Sequence, residues 1–327
     1  MPRHSQTVVP ATNLVQWNGS FKDLTGVVRN FTMVGADPAK SNATTTVTVY
    51  LIPIKMVYGK NNGNRTFDPN KDKYPGWNVS VTKAILASPI FQSVVDFKQG
   101  GTDLGKTQYI DALQRANFWE FVQKNTRYHV LLGKPTILPE QTIDVSHSEG
   151  VVGKEWGWTV GLMDINAMDS ILQTYISKFN QIQPNTLPIF FTHDIYLTSD
   201  GACCYGGYHS ANGGQPGGQT YIYAGSIDFH LYHGQFVKGE DTVTFSHEIG
   251  EWMDDPFIDN SVSCQDNSIL EVGDPLVDHD YEYLVNGFKY HLQDLVFMPY
   301  FGAPKKTSLH GWYSFQKGDE THVCPGQ

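Results

Sequence analysis

The sequence has few charged side chains and no long apolar run. Only 17% of its 327 residues are Asp, Glu, Lys or Arg, below the quarter that is usual in soluble domains. No run of about 18 or more apolar residues occurs, so we expect no membrane-spanning helix. The first residues, Met1 to Ser5, lack the apolar segment of a signal peptide. This start indicates either a cytosolic protein or a mature form whose leader has been removed.

Clusters of positive charge are also lacking. The chain has 23 basic and 33 acidic residues, for a net charge of −10, and Lys305-Lys306 is its one adjacent basic pair. The sequence has no basic patch that could bind along a phosphate backbone, which argues against nucleic acid as a partner. The acidic residues between Asp254 and Asp280 favour cations instead.

Cysteine is scarce, with four residues that all lie in the second half of the chain: Cys203, Cys204, Cys264 and Cys324. An even number without a C-x-x-C pair favours disulfides over a cluster of thiolates around zinc. Adjacent cysteines are poorly placed to bond each other, so we expect Cys203 and Cys204 to reach Cys264 and Cys324 separately. Such bridges would pin the glycine-rich loop 201–218, and they favour a secreted protein.

The most informative motif is His-Glu-x-x-Glu within the segment Ser246 to Pro256. On a helix, His247 and Glu251 lie one turn apart on the same face, so both can bind one metal ion. Glu248 is rotated by about 100° toward the flank where a metal-bound water would lie. The spacing is that of the metallopeptidase motif H-E-x-x-H with its second histidine replaced by glutamate, which is also a zinc ligand.

Further carboxylates follow in the segment Glu271-Val272-Gly273-Asp274. We predict that Glu271 binds the ion as a third ligand, and that Asp274 orients His247 by accepting a hydrogen bond from its imidazole. Asp254 shares the helical face of His247 and competes for the third position, but it lies roughly 10 Å away along the axis. One imidazole and two carboxylates suit zinc, whereas more carboxylates would favour calcium or manganese.

Two residues are candidates for the chemistry itself. Glu248 would be the general base that accepts a proton from a metal-bound water, whose pKa the cation already lowers. His209, in the glycine-rich loop, would donate a hydrogen bond to a tetrahedral intermediate or to the substrate carbonyl. The alternatives are a structural role for His209 and an ordinary solvated acidic end for the helix.

The spacing of apolar residues predicts an α+β fold in which a mixed sheet packs against helices. Residues 1–22 are expected to form a loosely held arm, and residues 23–327 a single domain. Strands are expected at 45–58, 128–132, 188–197, 220–231 and 289–298. Helices are expected after Ser80, over 107–124, over 163–179 and from Asp241 to Pro256. Strands followed by a motif helix and a later glutamate are the order found in zincin metallopeptidases.

Five patches of the chain resemble one family, the exordium-like (phosphate-induced) secreted proteins and their bacterial and microbial relatives. The patches are Val49–Ile52 with Tyr58-Gly59, Ile189–Thr192, Cys203–His209, Ser246–Phe257 and Glu271–Asp274. The resemblance implies a secreted protein with the fold of that family. Plant members are described as growth-related extracellular proteins without the His-Glu pair. The microbial members that keep H-E-x-x-E resemble metallopeptidases.

Together these features predict a secreted endopeptidase that depends on one metal ion, zinc in the first place, with calcium or manganese as the alternatives. Its partner would be a polypeptide substrate or a component of the extracellular matrix or cell wall. Two other functions stay open at this point. One is a non-enzymatic extracellular protein whose metal stabilises the fold. The other is a cell-wall protein that binds carbohydrate through aromatic residues.

Overall fold

The computed structural model describes residues 13–73, 78–124, 127–155, 157–212, 218–228, 241–263 and 269–317. These residues form helices and strands in mixed sheets, an α+β fold. The helices are α1 (Val81–Ala87), α2 (Tyr109–Asn117), α3 (Trp119–Val122), α4 (Ile165–Lys178) and α5 (Val243–Asp254). The strands are β1 (Gln16–Lys22), β2 (Val28–Val34), β3 (Thr44–Tyr58), β4 (Arg65–Phe67), β5 (Val95–Gln99), β6 (Thr102–Thr107), β7 (His129–Leu132), β8 (Thr136–Ile137), β9 (Gln141–Val145), β10 (Gly150–Glu155), β11 (Trp158–Asp164), β12 (Thr186–Phe191), β13 (Ile195–Ser199), β14 (Ala202–Tyr205), β15 (Gly207–Ala211), β16 (Thr220–Ala224), β17 (Asp280–Val285) and β18 (Phe288–Gln293).

The long strand β3 is the centre of the largest sheet. Strands run in the order β15-β16-β12-β3-β4, and β7, β8 and β9 pair in turn with successive parts of β3. Strands β12, β16, β7, β8 and β9 continue the sheet in parallel, whereas β4 and β15 are antiparallel to their neighbours. A four-stranded sheet, β10-β11-β13-β14, and three two-stranded sheets complete the described structure.

The main sheet is covered on both faces, which explains the continuous apolar runs in its parallel strands. Ile189 and Phe191 of β12 pack in the same core cluster as α5, whereas Phe190 packs in the cluster that contains α4. The same alternation separates Ile222 from Tyr223 on β16. Because successive side chains of a strand point to opposite faces, β12 and β16 contribute to two hydrophobic cores.

Helix α5, which contains the motif, is buried between the main sheet and two hairpins. It contacts β15 and β16 of the sheet, β18 and β2 of the hairpins, and α2. Phe245, Ile249 and Trp252 have no solvent-exposed surface. The helix passes so close to Leu295 that a β-carbon at Gly250 would lie 2.1 Å from its side chain. A helix buried on this scale holds its polar residues in fixed positions.

The structure confirms the predicted α+β class and several of the predicted elements. The motif helix and the helix over 163–179 are present as α5 and α4, and the strand expected at 45–58 is β3. The helix expected over 107–124 is broken at Phe118 into α2 and α3. Among the described residues, none of the helices combines the length and the apolar character needed to cross a bilayer.

Two regions differ from the sequence-based expectation. Residues 16–22 of the expected loose arm form β1, which pairs along its whole length with β2, and Phe21 is buried in the core; residues 1–12 lie outside the described part of the chain. The expected loop 201–218 contains β14 and β15. Its glycines permit close contact with α5, since a β-carbon at Gly207 would lie 2.9 Å from Thr244.

Candidate metal centre

His247 and Glu251 lie one turn apart on α5 with their side chains in contact. The distance from His247 Nε2 to Glu251 Oε2 is 2.9 Å. Both side chains are largely buried, with 13% and 4% of their surfaces exposed. Buried ionisable groups are costly unless they are paired or bind an ion, so their presence on a buried helix marks a candidate functional site.

Gln293, at the end of β18, fixes the orientation of the His247 ring. Its Nε2 donates to the carbonyl oxygen of Gly273 at 2.6 Å, and its Oε1 lies 2.9 Å from His247 Nδ1. A carbonyl oxygen only accepts, so the amide nitrogen must face Gly273 and the amide oxygen must face the imidazole. Nδ1 therefore carries a proton, and Nε2 is the nitrogen directed at Glu251. This hydrogen bond from the far ring nitrogen is typical of histidines that bind metals.

The segment 271–274 closes over the imidazole of His247. Asp274 Oδ1 lies 3.7 Å from His247 Nε2, and the backbone N–H of Gly273 donates to Glu251 Oε1 at 3.1 Å. A β-carbon at Gly273 would lie 2.5 Å from His247 Nδ1, so only glycine permits this approach. The candidate ligand atoms of His247, Glu251 and Asp274 all lie within 4.8 Å of one another.

The structure places Glu271 and Asp274 beside different imidazoles. Asp274 Oδ1 lies near His247 Nε2, whereas the hydrogen bond that Asp274 was expected to accept from the ring goes to Gln293. Glu271, the expected third ligand, lies deeper, with Oε2 4.0 Å from His209 Nδ1. Its role as a ligand stays a prediction.

His209, on β15, lies among three carboxylates rather than beside an open pocket. Its Nδ1 is 3.7 Å from Glu248 Oε2, 3.7 Å from Glu251 Oε2 and 4.0 Å from Glu271 Oε2. Its Nε2 donates to the carbonyl oxygen of Asp255 at 3.1 Å. The N–H that the sequence assigned to a reaction intermediate is therefore used by the backbone, and the other ring nitrogen faces negative charge.

Burial and like charges shift the titration of the whole cluster. Burial by itself lowers the pKa of His247, but the charge and hydrogen bond of Glu251, with the charges of Glu248 and Asp274, together outweigh it and raise the pKa to about 10. Burial, with the charge of Glu251, raises the pKa of Glu271 to about 9. Burial also raises the pKa of Glu248. At Glu251 itself burial is outweighed by the two imidazoles, which hold its pKa well below the usual range.

These shifts mean that protons neutralise the cluster when no cation is bound. A cation placed among the same groups would displace those protons, because imidazole nitrogens and carboxylates bind metals in their deprotonated forms. Metal binding at this site should therefore release protons and weaken as the pH falls.

The competing carboxylates at the end of α5 point elsewhere. Asp254 accepts a hydrogen bond from Gln114 on α2, and burial raises its pKa to about 7. The carboxylate of Asp255 accepts from the backbone N–H groups of Asp259 and Asn260. Both side chains organise the helix end.

The structure brings Cys203 and Cys204 into close contact on β14. Cys264 and Cys324, their expected partners, lie outside the described residues. The two separate bridges therefore stay a prediction.

Sequence reasoning missed one residue of the site, Gln293. No short motif surrounds it, and its role arises only because β18 packs against α5, where its backbone N–H donates to Ser246 Oγ at 3.0 Å. A glutamine at the end of a strand is a common residue, so the sequence carried no signal for it.

Comparison of the chain with models of protein families, with characterised proteins and with solved structures found no match. The geometry of the site is therefore the basis for the functional argument that follows.

Proposed function

We propose that this chain is a metal-dependent hydrolase that cleaves peptide bonds, with zinc as its first candidate ion. The observation that carries the proposal is the group formed by His247, Glu251 and Asp274, whose ligand atoms lie within 4.8 Å of one another. One imidazole and two carboxylates are a ligand set that zinc accepts with a position left for water. Manganese and calcium remain the alternatives if more oxygen ligands join.

The neighbouring glutamate supports a catalytic role. A bound divalent cation would act as a Lewis acid and lower the pKa of its water toward about 7. Glu248 belongs to a second group, with His209 and Glu251. The candidate ligand atoms of this group also lie within 4.8 Å of one another. Its carboxylate is buried and has a raised pKa. A carboxylate with these properties is suited to accept a proton from water and return it to a leaving group.

The exposure of the site argues against a closed structural ion. The Asp274 side chain is 64% exposed, whereas His209 on the inner side of the cluster is 3% exposed. Solvent and substrate can therefore approach from the side of Asp274. A structural metal is enclosed by protein ligands, whereas a catalytic metal keeps one position open.

A second candidate function is an ion that stabilises the fold without catalysis. The burial of Glu248, Glu251 and His209 favours it.

A polypeptide substrate is supported by the position of β15. This strand ends the order of the main sheet, and within the described residues it pairs with β16 alone. The strand also carries His209 and contacts α5, so it lies next to the metal cluster. Extended peptides bind to the free edge of a sheet through backbone hydrogen bonds, without any need for one particular sequence. We retain a secreted location as part of the proposal, on the low content of charged residues and the family resemblance.

The test uses the zinc-loaded full chain, a peptide library and the variant Glu248→Gln. The glutamine is nearly isosteric but accepts no proton, so the variant should keep its metal and fold while hydrolysis falls by about 100-fold or more. The matched control is Glu120→Gln, since Glu120 pairs with Lys306 away from the site. A zinc-loaded wild type without activity on the library would reject the peptidase and leave the structural ion.

A further inference from the structure

We infer that the cluster holds a second divalent cation, bound by His209, Glu248 and Glu251. The inference rests on the proposed function for the first ion only, which belongs to His247, Glu251 and Asp274. The candidate ligand atoms fall into these two groups of three, which share Glu251, and neither group contains both imidazoles. Two positions joined by one carboxylate are the arrangement of a two-metal site.

The distances around His209 Nδ1 are those of ligands around an ion. Three carboxylate oxygens lie 3.7 Å, 3.7 Å and 4.0 Å from this nitrogen. These distances exceed a hydrogen bond, which ends near 3.2 Å for nitrogen and oxygen. Atoms that each lie about 2.0–2.2 Å from a common ion are separated by roughly 3–4 Å. The spacing therefore leaves room for a cation between His209, Glu248 and Glu251.

The orientation of the imidazole supports the same conclusion. Nε2 of His209 faces the carbonyl oxygen of Asp255, which only accepts, so that nitrogen carries a proton. The remaining nitrogen, Nδ1, is the one that faces the carboxylates. It carries a proton when no cation is bound, and on loss of that proton its lone pair would point at an ion held between the carboxylates. A histidine that is held by a backbone carbonyl and presents its other nitrogen is the usual form of a metal ligand.

Glu251 is placed to bridge the two ions through one oxygen. Its Oε2 lies 2.9 Å from His247 Nε2 and 3.7 Å from His209 Nδ1. Its Oε1 accepts the N–H of Gly273 at 3.1 Å. In Glu248 the oxygen near His209 would bind the second ion, and the other oxygen stays available to accept a proton.

The charges of the cluster balance with two ions. The carboxylates of Glu248, Glu251, Glu271 and Asp274 all lie within 4.0 Å of an imidazole nitrogen. Two divalent cations with neutral imidazoles neutralise these four carboxylates, and they would take the place of the protons that neutralise the cluster without metal. Uncompensated buried charge is strongly unfavourable. Manganese suits the inner position because oxygen donors predominate there.

The experiment measures the number of manganese ions per chain and their magnetic coupling. The full chain is loaded with Mn²⁺, and bound metal is counted by mass spectrometry after gel filtration. The wild type should hold two ions, and its electron paramagnetic resonance spectrum should show the exchange coupling of a bridged pair. The variant His209→Gln should hold one uncoupled ion. Its amide nitrogen can still donate to the carbonyl of Asp255, but the Nδ1 ligand is lost.

The controls separate this inference from the proposed function. His147→Ala removes an exposed histidine and should leave both ions in place. A wild type with one ion, or with two uncoupled ions, would overturn the second position even if peptides are cleaved. A chain that binds no divalent ion would reject both proposals. If His209→Gln does not fold, the ion count and spectrum of the wild type decide the question alone.

Discussion

The side chain of Gln293 holds the imidazole of His247 in one orientation. Its Oε1 lies 2.9 Å from Nδ1, while its amide nitrogen is bound to the carbonyl of Gly273. The ring nitrogen on the cluster side is thereby directed at Glu251 before any ion binds. Strand β18 and the segment 271–274 thus act on the same ligand, although they are separate parts of the chain.

Replacement of this glutamine tests its positioning role. The variant Gln293→Leu removes the acceptor for His247 and the donor to Gly273, and it should weaken zinc binding by roughly 10–100-fold. A competitive titration with a zinc chelator measures the change. The matched control is Gln108→Leu, a buried glutamine that bonds the backbone of Phe91 and Leu132. Equal zinc affinity in the Gln293 variant and the wild type would contradict the assignment.

Gly273 provides a second test, based on space alone. The variant Gly273→Ala places a methyl group where His247 Nδ1 lies 2.5 Å away, so the ring or the segment must move. We expect a loss of zinc affinity of about tenfold or more with the secondary structure retained. Gly59→Ala is the control, since its β-carbon would make only an ordinary contact of 3.6 Å with Asn62. Unchanged zinc affinity, measured by calorimetry, would mean that this packing is not needed for the site.

His193 should make the stability of the protein depend on pH outside the metal cluster. Its ring bonds Asp72 at 2.9 Å and Asp194 at 3.1 Å. Burial by itself lowers the pKa of His193, but the two carboxylates outweigh it and raise the pKa to about 9. The pKa of His193 in the folded protein lies above the unfolded value of about 6.5. The charged imidazole therefore stabilises the fold fully below pH 6.5, and this contribution is lost as the pH rises through 9.

The measurement compares the wild type with His193→Gln, both with the same metal content. The free energy of unfolding of the wild type, relative to the variant, should fall by about 1–3 kcal/mol between pH 6.5 and 9. Urea denaturation followed by circular dichroism gives both values. A difference between the two proteins that stays constant over this range would show that the charge of His193 does not stabilise the fold.

Cysteine pairing can be decided by peptide mapping without reduction. Trypsin should release Cys203 and Cys204 in the one peptide 179–238, while Cys264 and Cys324 fall in the peptides 239–289 and 318–327. Two separate bridges, as expected from the sequence, would link the first peptide covalently to both of the others. An oxidised first peptide free of cross-links would contradict that pairing and show that the close contact of Cys203 and Cys204 is a bond.

The sequence predicted the helices and the contact that depend only on residues close together in the chain. Helix α5 followed from its apolar period and from Pro256, and the contact between His247 and Glu251 followed from their separation of four residues. Helix α4 was predicted in the same way. Both are properties of a single helix, so no knowledge of the rest of the chain was needed.

What the sequence did not predict depends on contacts between distant segments. The apolar run 188–197 forms two strands in different sheets, since the chain leaves β12 at Thr192 and passes Asp194, whose φ is 53°. The glycines of 201–218 indicated a loop, but at Gly207 the missing side chain is what admits a strand next to α5. Likewise the place of Gln293 beside His247 depends on how β18 packs against α5.

The many neighbours of β3 have a consequence for how the molecule unfolds. Tyr50 and Leu51 pair with both β12 and β8, and residues 56–58 pair with both β4 and β9. If one neighbour detaches, these parts of β3 stay bonded to another strand. Their backbone amides should exchange with deuterium only when the whole fold opens, because smaller openings leave them protected. The two hydrophobic cores, which meet along this strand, should therefore be lost together in one cooperative event.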